Sequence, residues 1–286
     1  MLKKIFLLIF LIPSVLSAQT INKKLQKSVE ALVKDYNGDV GIYIKSLKTG
    51  KVVQIKADTV FPTASIVKVP ILIGIINKIQ LGELSYHQEF TYNDSMLYAG
   101  VDILGSLKNG EKIELSKLIM LMLTMSDNTA SLWLQKLAGT GTTINGLMEK
   151  NGFINTRVNS KTIGRENERI QFGWGQTTAK ELATVFEKLY RGEIINDSLS
   201  KKMIRLLGRN YWDEEALSEI PSTIFVASKS GAVDASRSEI LLVMAKEPYI
   251  LSVFTKNNKD QSWNASNEAW VLFRELSKIV YNYYSR

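Results

Sequence analysis

The chain has 286 residues, a formal net charge of +8, one histidine and no cysteine. These counts exclude a thiol nucleophile, a disulfide, lipid attachment through sulfur and a His-rich zinc site, so neither a metal nor another cofactor is expected. The basic residues are scattered, without the Lys/Arg blocks and interleaved aromatics that nucleic acid requires, so no nucleic-acid partner is expected either. A mild positive field suits an anionic small molecule or the cell envelope, and serves solubility equally well.

The chain starts Met1-Leu2-Lys3-Lys4, runs apolar over residues 5–16, and continues Ser17-Ala18-Gln19. A basic start, a dozen apolar residues and small residues beyond them describe a cleavable export signal over residues 1–18, cut near Ser17 or Ala18. A membrane span needs about 20 apolar residues; this run is shorter, and Pro13 interrupts it. The expectation is an exported protein, periplasmic or secreted, monomeric and without a membrane anchor after signal removal. Loss of Lys3 and Lys4 lowers the net charge to +6, with 34 basic against 28 acidic residues.

About 268 residues remain, enough for one large domain or two intimate layers. Residues 21–36 place Leu25, Val29, Leu32 and Val33 on one helical face. Residues 39–44 and 52–55 read as strands joined by the turn Leu47-Lys48-Thr49-Gly50-Lys51. From residue 64 to about 219 the period is helical, punctuated by glycines. Within it, Thr178-Ala179-Lys180-Glu181 is a capping box opening a helix that stops before Gly192. Strands return at residues 224–229, 239–244 and 249–255, and residues 264–284 form a closing amphipathic helix.

This order predicts an α/β (α+β) fold. Residues 19–63 and 222–286 would pair into one mainly antiparallel sheet flanked by the terminal helices. Residues 64–221 would form an inserted helical subdomain against it, the whole making one catalytic domain.

The stretch Thr63-Ala64-Ser65-Ile66-Val67-Lys68 opens the most apolar segment of the mature chain, at the predicted crossing from sheet to helices. Positions i and i+3 share a helical face, so the Ser65 hydroxyl and the Lys68 amine would point the same way. An amine in an apolar setting can lose its proton and serve as the base for such a hydroxyl. The spacing alone is weak, since Ser198 and Lys201 repeat it in a polar run that reads as a solvated helix start. His87, in Ser85-Tyr86-His87-Gln88, reads as a surface histidine, which leaves proton transfer to lysine or a carboxylate.

Two further groups corroborate Ser65. Ser126-Asp127-Asn128 interrupts two apolar helical runs; Asp127 or Asn128 can cap the second, while Ser126 offers another hydroxyl able to relay a proton. Lys229-Ser230-Gly231 ends a predicted strand, where a glycine admits a ligand close to the backbone and Lys-Ser suits a carboxylate. Lys48-Thr49-Gly50 has similar letters, which a hairpin turn explains.

Ser65-x-x-Lys68, Ser126-Asp127-Asn128 and Lys229-Ser230-Gly231, separated by 61 and 103 residues, resemble the ordered motifs of class A β-lactamases and penicillin-binding proteins. The resemblance extends from about Asn22 to the C-terminus. It implies that Ser65 attacks a β-lactam or peptide-like carbonyl, that Lys68 takes its proton, and that Ser126, backed by Lys229, protonates the departing nitrogen. Asn128 would bind the substrate's side-chain amide, and Lys229 and Ser230 its carboxylate. The backbone N–H groups of Ser65 and Ala232 would form the oxyanion hole, and Arg237 would add to carboxylate binding. The resemblance implies a β-lactamase, with a DD-peptidase or a penicillin-binding sensor as the alternatives. One element departs: where the family places a water-activating glutamate, six residues beyond a Thr-Arg pair, this chain has Thr162, with Glu166 and Glu168 displaced along the loop.

Overall fold

The computed structural model describes residues 20–286 apart from Ala99, Val101 and Arg209, so the export signal expected over residues 1–18 lies outside the described residues. Helix α1 (Lys23–Val33) starts where the Asn22 side chain accepts from Leu25 N, and it buries Leu25 and Val29. The predicted hairpin forms as β1 (Asp39–Ser46) and β2 (Val52–Ile55), followed by a short β3 (Val60–Pro62). A 3-10 turn, Ala64–Val67, then runs directly into α2 (Lys68–Gln80). Every residue of α2 from Lys68 to Ile76 is buried, as expected of a helix that is apolar all round. Pro70 falls in its first turn, where the missing N–H would have had no intrahelical partner.

The middle of the chain contains β4 (Glu89–Thr91), β5 (Lys112–Glu114), α3 (Leu115–Thr124), α4 (Asn128–Leu137) and α5 (Thr140–Lys150). Then come β6 (Arg157–Val158), α6 (Glu166–Phe172), β7 (Gly175–Thr178), α7 (Ala179–Tyr190) and α8 (Asp197–Leu207). The chain closes with β8 (Val226–Val233), β9 (Ser236–Val243), β10 (Tyr249–Lys256) and α9 (Glu268–Tyr284).

The first and last strands make one antiparallel sheet in the order β2-β1-β10-β9-β8, so strands from both chain ends meet along β1 and β10. The mixed fold predicted from the sequence is the one that forms. The helical reading of residues 64–219 needs correction: β6 and β7 lie within it and join β3 in a second sheet, and β4 pairs with β5. These strands are two to four residues long, too short to display a period of two. A second correction concerns β8, which continues to Val233, so Lys229-Ser230-Gly231 lies inside the strand and not at its end.

Two apolar clusters hold the layers together. Leu25, Val29, Leu272, Phe273 and Leu276 from α1 and α9 cover one face of the main sheet. The other face meets α7, with Phe254 and Leu242 in one apolar cluster with Phe186 of α7 and with Leu72 and Ile76 of α2. Each such side chain contributes about 1.5–3 kcal/mol on leaving water. The sheet edge β8 packs against the Ala64–Val67 turn, and this junction sets up the site.

Candidate active site

Ser65 sits on the 3-10 turn and not in α2 itself, and in that geometry side chains three apart eclipse one another. Lys68 Nζ consequently lies 3.0 Å from Ser65 Oγ. The residue before the nucleophile, Ala64, has φ +43°, and Ser126 has φ +60°. Both are left-handed conformations that side chains normally avoid, and such strain persists where the surroundings over-determine it. For Ser126 the surroundings are visible. The neighbouring Asp127 is fully buried; its Oδ1 accepts from Ala130 N at 2.7 Å, while Oδ2 accepts from Ile103 N at 2.5 Å and Leu104 N at 2.9 Å. One carboxylate thus caps α4, as expected, and also binds the preceding loop, a role that sequence gave no sign of.

Held in this way, Ser126 presents its Oγ 2.9 Å and its carbonyl oxygen 2.5 Å from Lys68 Nζ, and Asn128 Oδ1 lies 3.0 Å away. Lys68 is fully buried. Burial drives its pKa well below the usual lysine value, and the nearby positive charge of Lys229 acts in the same direction against the opposing pull of Asp127. Lys229 is also fully buried, and burial lowers its pKa to about 7, partly countered by Glu239. Its Nζ donates to the Ser230 carbonyl at 2.9 Å. Glu239, on β9, is a buried carboxyl whose pKa rises to about 8 through desolvation; it accepts from Ala216 N and Leu217 N at 2.9 and 3.2 Å. A charge among Ile240, Leu241 and Leu242 was the available sequence sign of it.

Ladder geometry places the Ala232 N–H. Ala232 of β8 stands opposite Arg237 of β9, and Arg237 directs its own N–H to Thr255 Oγ1 of β10 at 3.1 Å. Arg237 therefore turns its backbone away from β8, the Ala232 pair is a non-bonded one, and the Ala232 N–H points outward from the sheet edge. The neighbouring Gly231 is what allows β8 to approach. A Cβ there would stand 2.4 Å from Thr63 O and 3.0 Å from Ser65 N. Ser65, Asn128 and Ala232 together line a cavity of about 500 Å³, with Phe172 and Trp174 also in its lining.

Arg237 is the predicted residue that the structure does not bring to the site. Its guanidinium donates to the carbonyls of Val233, Asp234, Ser236 and Ser262, and lies 4.4 and 4.9 Å from the ring centroids of Trp263 and Trp270. The physical reason is strand parity: Ser238, one residue on, takes the cleft side and donates to Thr63 O at 3.2 Å. Arg237 fastens the β8–β9 turn to the segment before α9.

The loop before β7 is closed from within. Arg165 Nε donates to Asn159 Oδ1 at 2.6 Å and its Nη2 to Gln176 Oε1 at 2.8 Å. Glu181, whose N–H is capped by Thr178 as the capping box predicts, accepts from the backbone N–H groups of Ile154, Asn155 and Thr156. Thr162 is buried, donates to Ser160 O, and packs against Gly141 of α5. Glu166 is exposed and accepts from Gly164 N, and Glu168 is partly exposed. Among the described residues lining the cavity there is no carboxylate.

The remaining alternatives take their ordinary roles. Lys48-Thr49-Gly50 is an exposed turn, Ser198 is exposed with Lys201 paired to Asp197 at 2.7 Å, and exposed His87 lies 3.0 Å from Glu114. No helix among the described residues is long and apolar enough to cross a membrane.

Comparison with known proteins places this geometry. Beta-lactamase VEB-1 of Pseudomonas aeruginosa is 22% identical over 281 residues, covering 94% of this chain and 92% of VEB-1. Among solved structures, PBP-A superposes with a TM-score of 0.82 at 21% identity, covering 93% of this chain and 97% of PBP-A. A mutant of PBP-A described as an acyl-enzyme complex with penicillin G gives the same score at 22% identity, covering 94% and 98%. A class A β-lactamase from Bacteroides cellulosilyticus gives 0.81 at 16% identity, covering 94% and 99%. A family model described as Beta-lactamase enzyme family matches residues 24–284. With the fold and this match spanning nearly the whole described chain, the protein belongs to the beta-lactamase enzyme family.

Proposed function

We propose that this protein opens β-lactam rings by acylation of Ser65, and that the acyl-enzyme is released slowly. The observation that carries the reading is the position of Lys68 Nζ, fully buried, 3.0 Å from Ser65 Oγ and 2.9 Å from Ser126 Oγ. Neutral Lys68 takes the Ser65 proton as Oγ bonds to the lactam carbonyl carbon. The oxyanion is met by the Ser65 and Ala232 N–H groups. As the C–N bond breaks, Ser126 gives its proton to the nitrogen and is reprotonated from Lys68. The substrate carboxylate lies toward Ser230 and Lys229, and Asn128 exchanges its bond with Lys68 for one to the substrate amide.

Release needs a water activated next to the ester. Thr162 stands where the related enzymes place a glutamate, and Glu166 and Glu168 do not line the cavity. Lys68, neutral again once it has reprotonated Ser126, is the base that remains near Ser65, and no carboxylate among the described lining residues of the cavity holds a water against the ester. This favours the penicillin-binding end of the family, an inference supported by the PBP-A likeness. Efficient hydrolysis is the second reading, favoured by the full-length similarity to VEB-1. We place the mature protein outside the cytoplasm on the strength of residues 1–18.

An intact-mass time course with benzylpenicillin, continued as the ligand runs out, tests both steps. A mass gain confined to Ser65 and persisting for many minutes is the expected result, with no gain in Ser65→Ala. A gain that clears within seconds would replace slow release by β-lactamase turnover. Labelling of Ser65→Ala would move the nucleophile elsewhere.

A further inference from the structure

The cavity beside Ser65 has apolar walls, Pro62, Phe172, Trp174 and Val233 among them, and a single charged side chain among its described lining residues, Lys256. Lys256 ends β10 opposite Asp39 and is half-buried. Its Nζ donates to Val60 O at 2.9 Å and lies 5.0 Å from the Phe61 ring centroid. Neither contact neutralises the ammonium. The nearest carboxylate on the neighbouring strand, Asp39, is occupied by Lys56 at 2.9 Å and by Asn257 Nδ2 at 2.8 Å. Lys256 thus makes no salt bridge, with Asp39 as its more distant electrostatic partner, and among the described lining residues it is the one charged side chain of a pocket otherwise lined by neutral groups.

We propose that this cavity receives the acyl side chain of the substrate and that Lys256 selects side chains ending in a carboxylate. The inference rests on acylation of Ser65 as set out above. Apolar walls take up the methylene spacer of such a side chain, and a half-buried ammonium at the end is screened less by salt than an exposed one. Binding a cation in this pocket would leave Lys256 facing a like charge, and a neutral end would gain nothing from it. The selected substrate is therefore a β-lactam or acyl-peptide whose side chain carries a terminal acid a few bonds from the amide.

Two penicillins that differ only at the side-chain end provide the test: an adipoyl penicillin with a free carboxylate, and the same compound as its terminal primary amide. The rate of mass gain at Ser65 is measured for the mature protein and for Lys256→Gln and Lys256→Arg. We expect the carboxylate probe to acylate the native protein about 2- to 5-fold faster, the range of a partly exposed ion pair. Lys256→Gln should bring that rate down to the amide probe's while leaving the amide probe about unchanged, and Lys256→Arg should restore the preference. Equal rates in the native protein would overturn the proposal. So would a Lys256→Gln variant slowed equally with both probes, which would make Lys256 a brace for β3 through Val60 O. Benzylpenicillin separates the two levels: if it labels Ser65 and the matched probes do not differ, side-chain selection alone fails. If no penicillin labels Ser65, the acylation reading fails and this proposal with it.

Discussion

Four oxygens surround Lys68 Nζ within 3.0 Å: Ser65 Oγ, Ser126 O, Ser126 Oγ and Asn128 Oδ1. An ammonium has three protons and no lone pair, so it could only donate to these groups. A neutral amine has two protons and one lone pair, and can accept the Ser65 O–H. The buried position, and Lys229 close by, favour the neutral form by lowering the Lys68 pKa. The sign for activity follows: acylation should be slow where Lys68 is protonated and should rise with pH as the amine is freed. Arginine retains charge and length but does not deprotonate in proteins. Lys68→Arg should therefore lose about 100-fold or more in Ser65 labelling rate, the scale of a missing general base, with its circular dichroism unchanged. Labelling at the native rate in Lys68→Arg would remove Lys68 as the base.

At the element scale the decisive piece is β8, an edge strand pressed against the turn that carries the nucleophile. Gly231 makes the approach possible. In Gly231→Ala the new methyl would stand 2.4 Å from a backbone oxygen of the Ser65 turn, so strand and turn must separate. The Ala232 N–H, one residue along, moves with the strand. Losing one oxyanion donor costs roughly 10²- to 10³-fold in related chemistry, and overpacking costs about 1–3 kcal/mol. Gly231→Ala should show both a slowed labelling rate and a lowered urea midpoint. A variant destabilised but acylated at the native rate would separate Gly231 from oxyanion binding. Sequence made much of this legible, because Ser65 and Lys68, or Lys229 through Ala232, are neighbours along the chain and local geometry fixes their relation. Arg237 was illegible for the same reason reversed. Its face depends on the register across the two-residue turn at Asp234 and Ala235, and a shift of one residue exchanges it with Ser238. The loop around Thr162 was legible as a departure, while the direction of Glu166 depended on Arg165, Asn159 and Gln176 meeting across the loop.

At the scale of the molecule, the site is sunk between a sheet and a helical layer, so its ionisable groups are coupled to folding. Glu239 is buried on β9 beneath the Ala216 and Leu217 backbone, with its pKa raised to about 8 against an ordinary 4.5. Between those values the native state holds a proton that the unfolded chain has released, so this group's contribution to stability is full below pH 4.5 and is lost as pH rises toward 8. Lys229 acts oppositely over a higher window. Its pKa, about 7 instead of 10.5, leaves the unfolded chain holding the extra proton, so its penalty is full below pH 7 and is relieved as pH rises through 10.5. Burial outweighs the attraction between the two, since each is driven toward its uncharged form. Glutamine in place of Glu239 keeps an oxygen for the Ala216 and Leu217 N–H groups and removes the titration. From pH 5 to pH 8, Glu239→Gln should accordingly lose less stability than the native protein, by an amount on the order of 3 kcal/mol, in paired urea titrations. If the two proteins lose stability in parallel over that range, Glu239 is already ionised in the fold, and Lys229 has a buried counter-ion that would raise its own pKa and keep it charged at neutral pH.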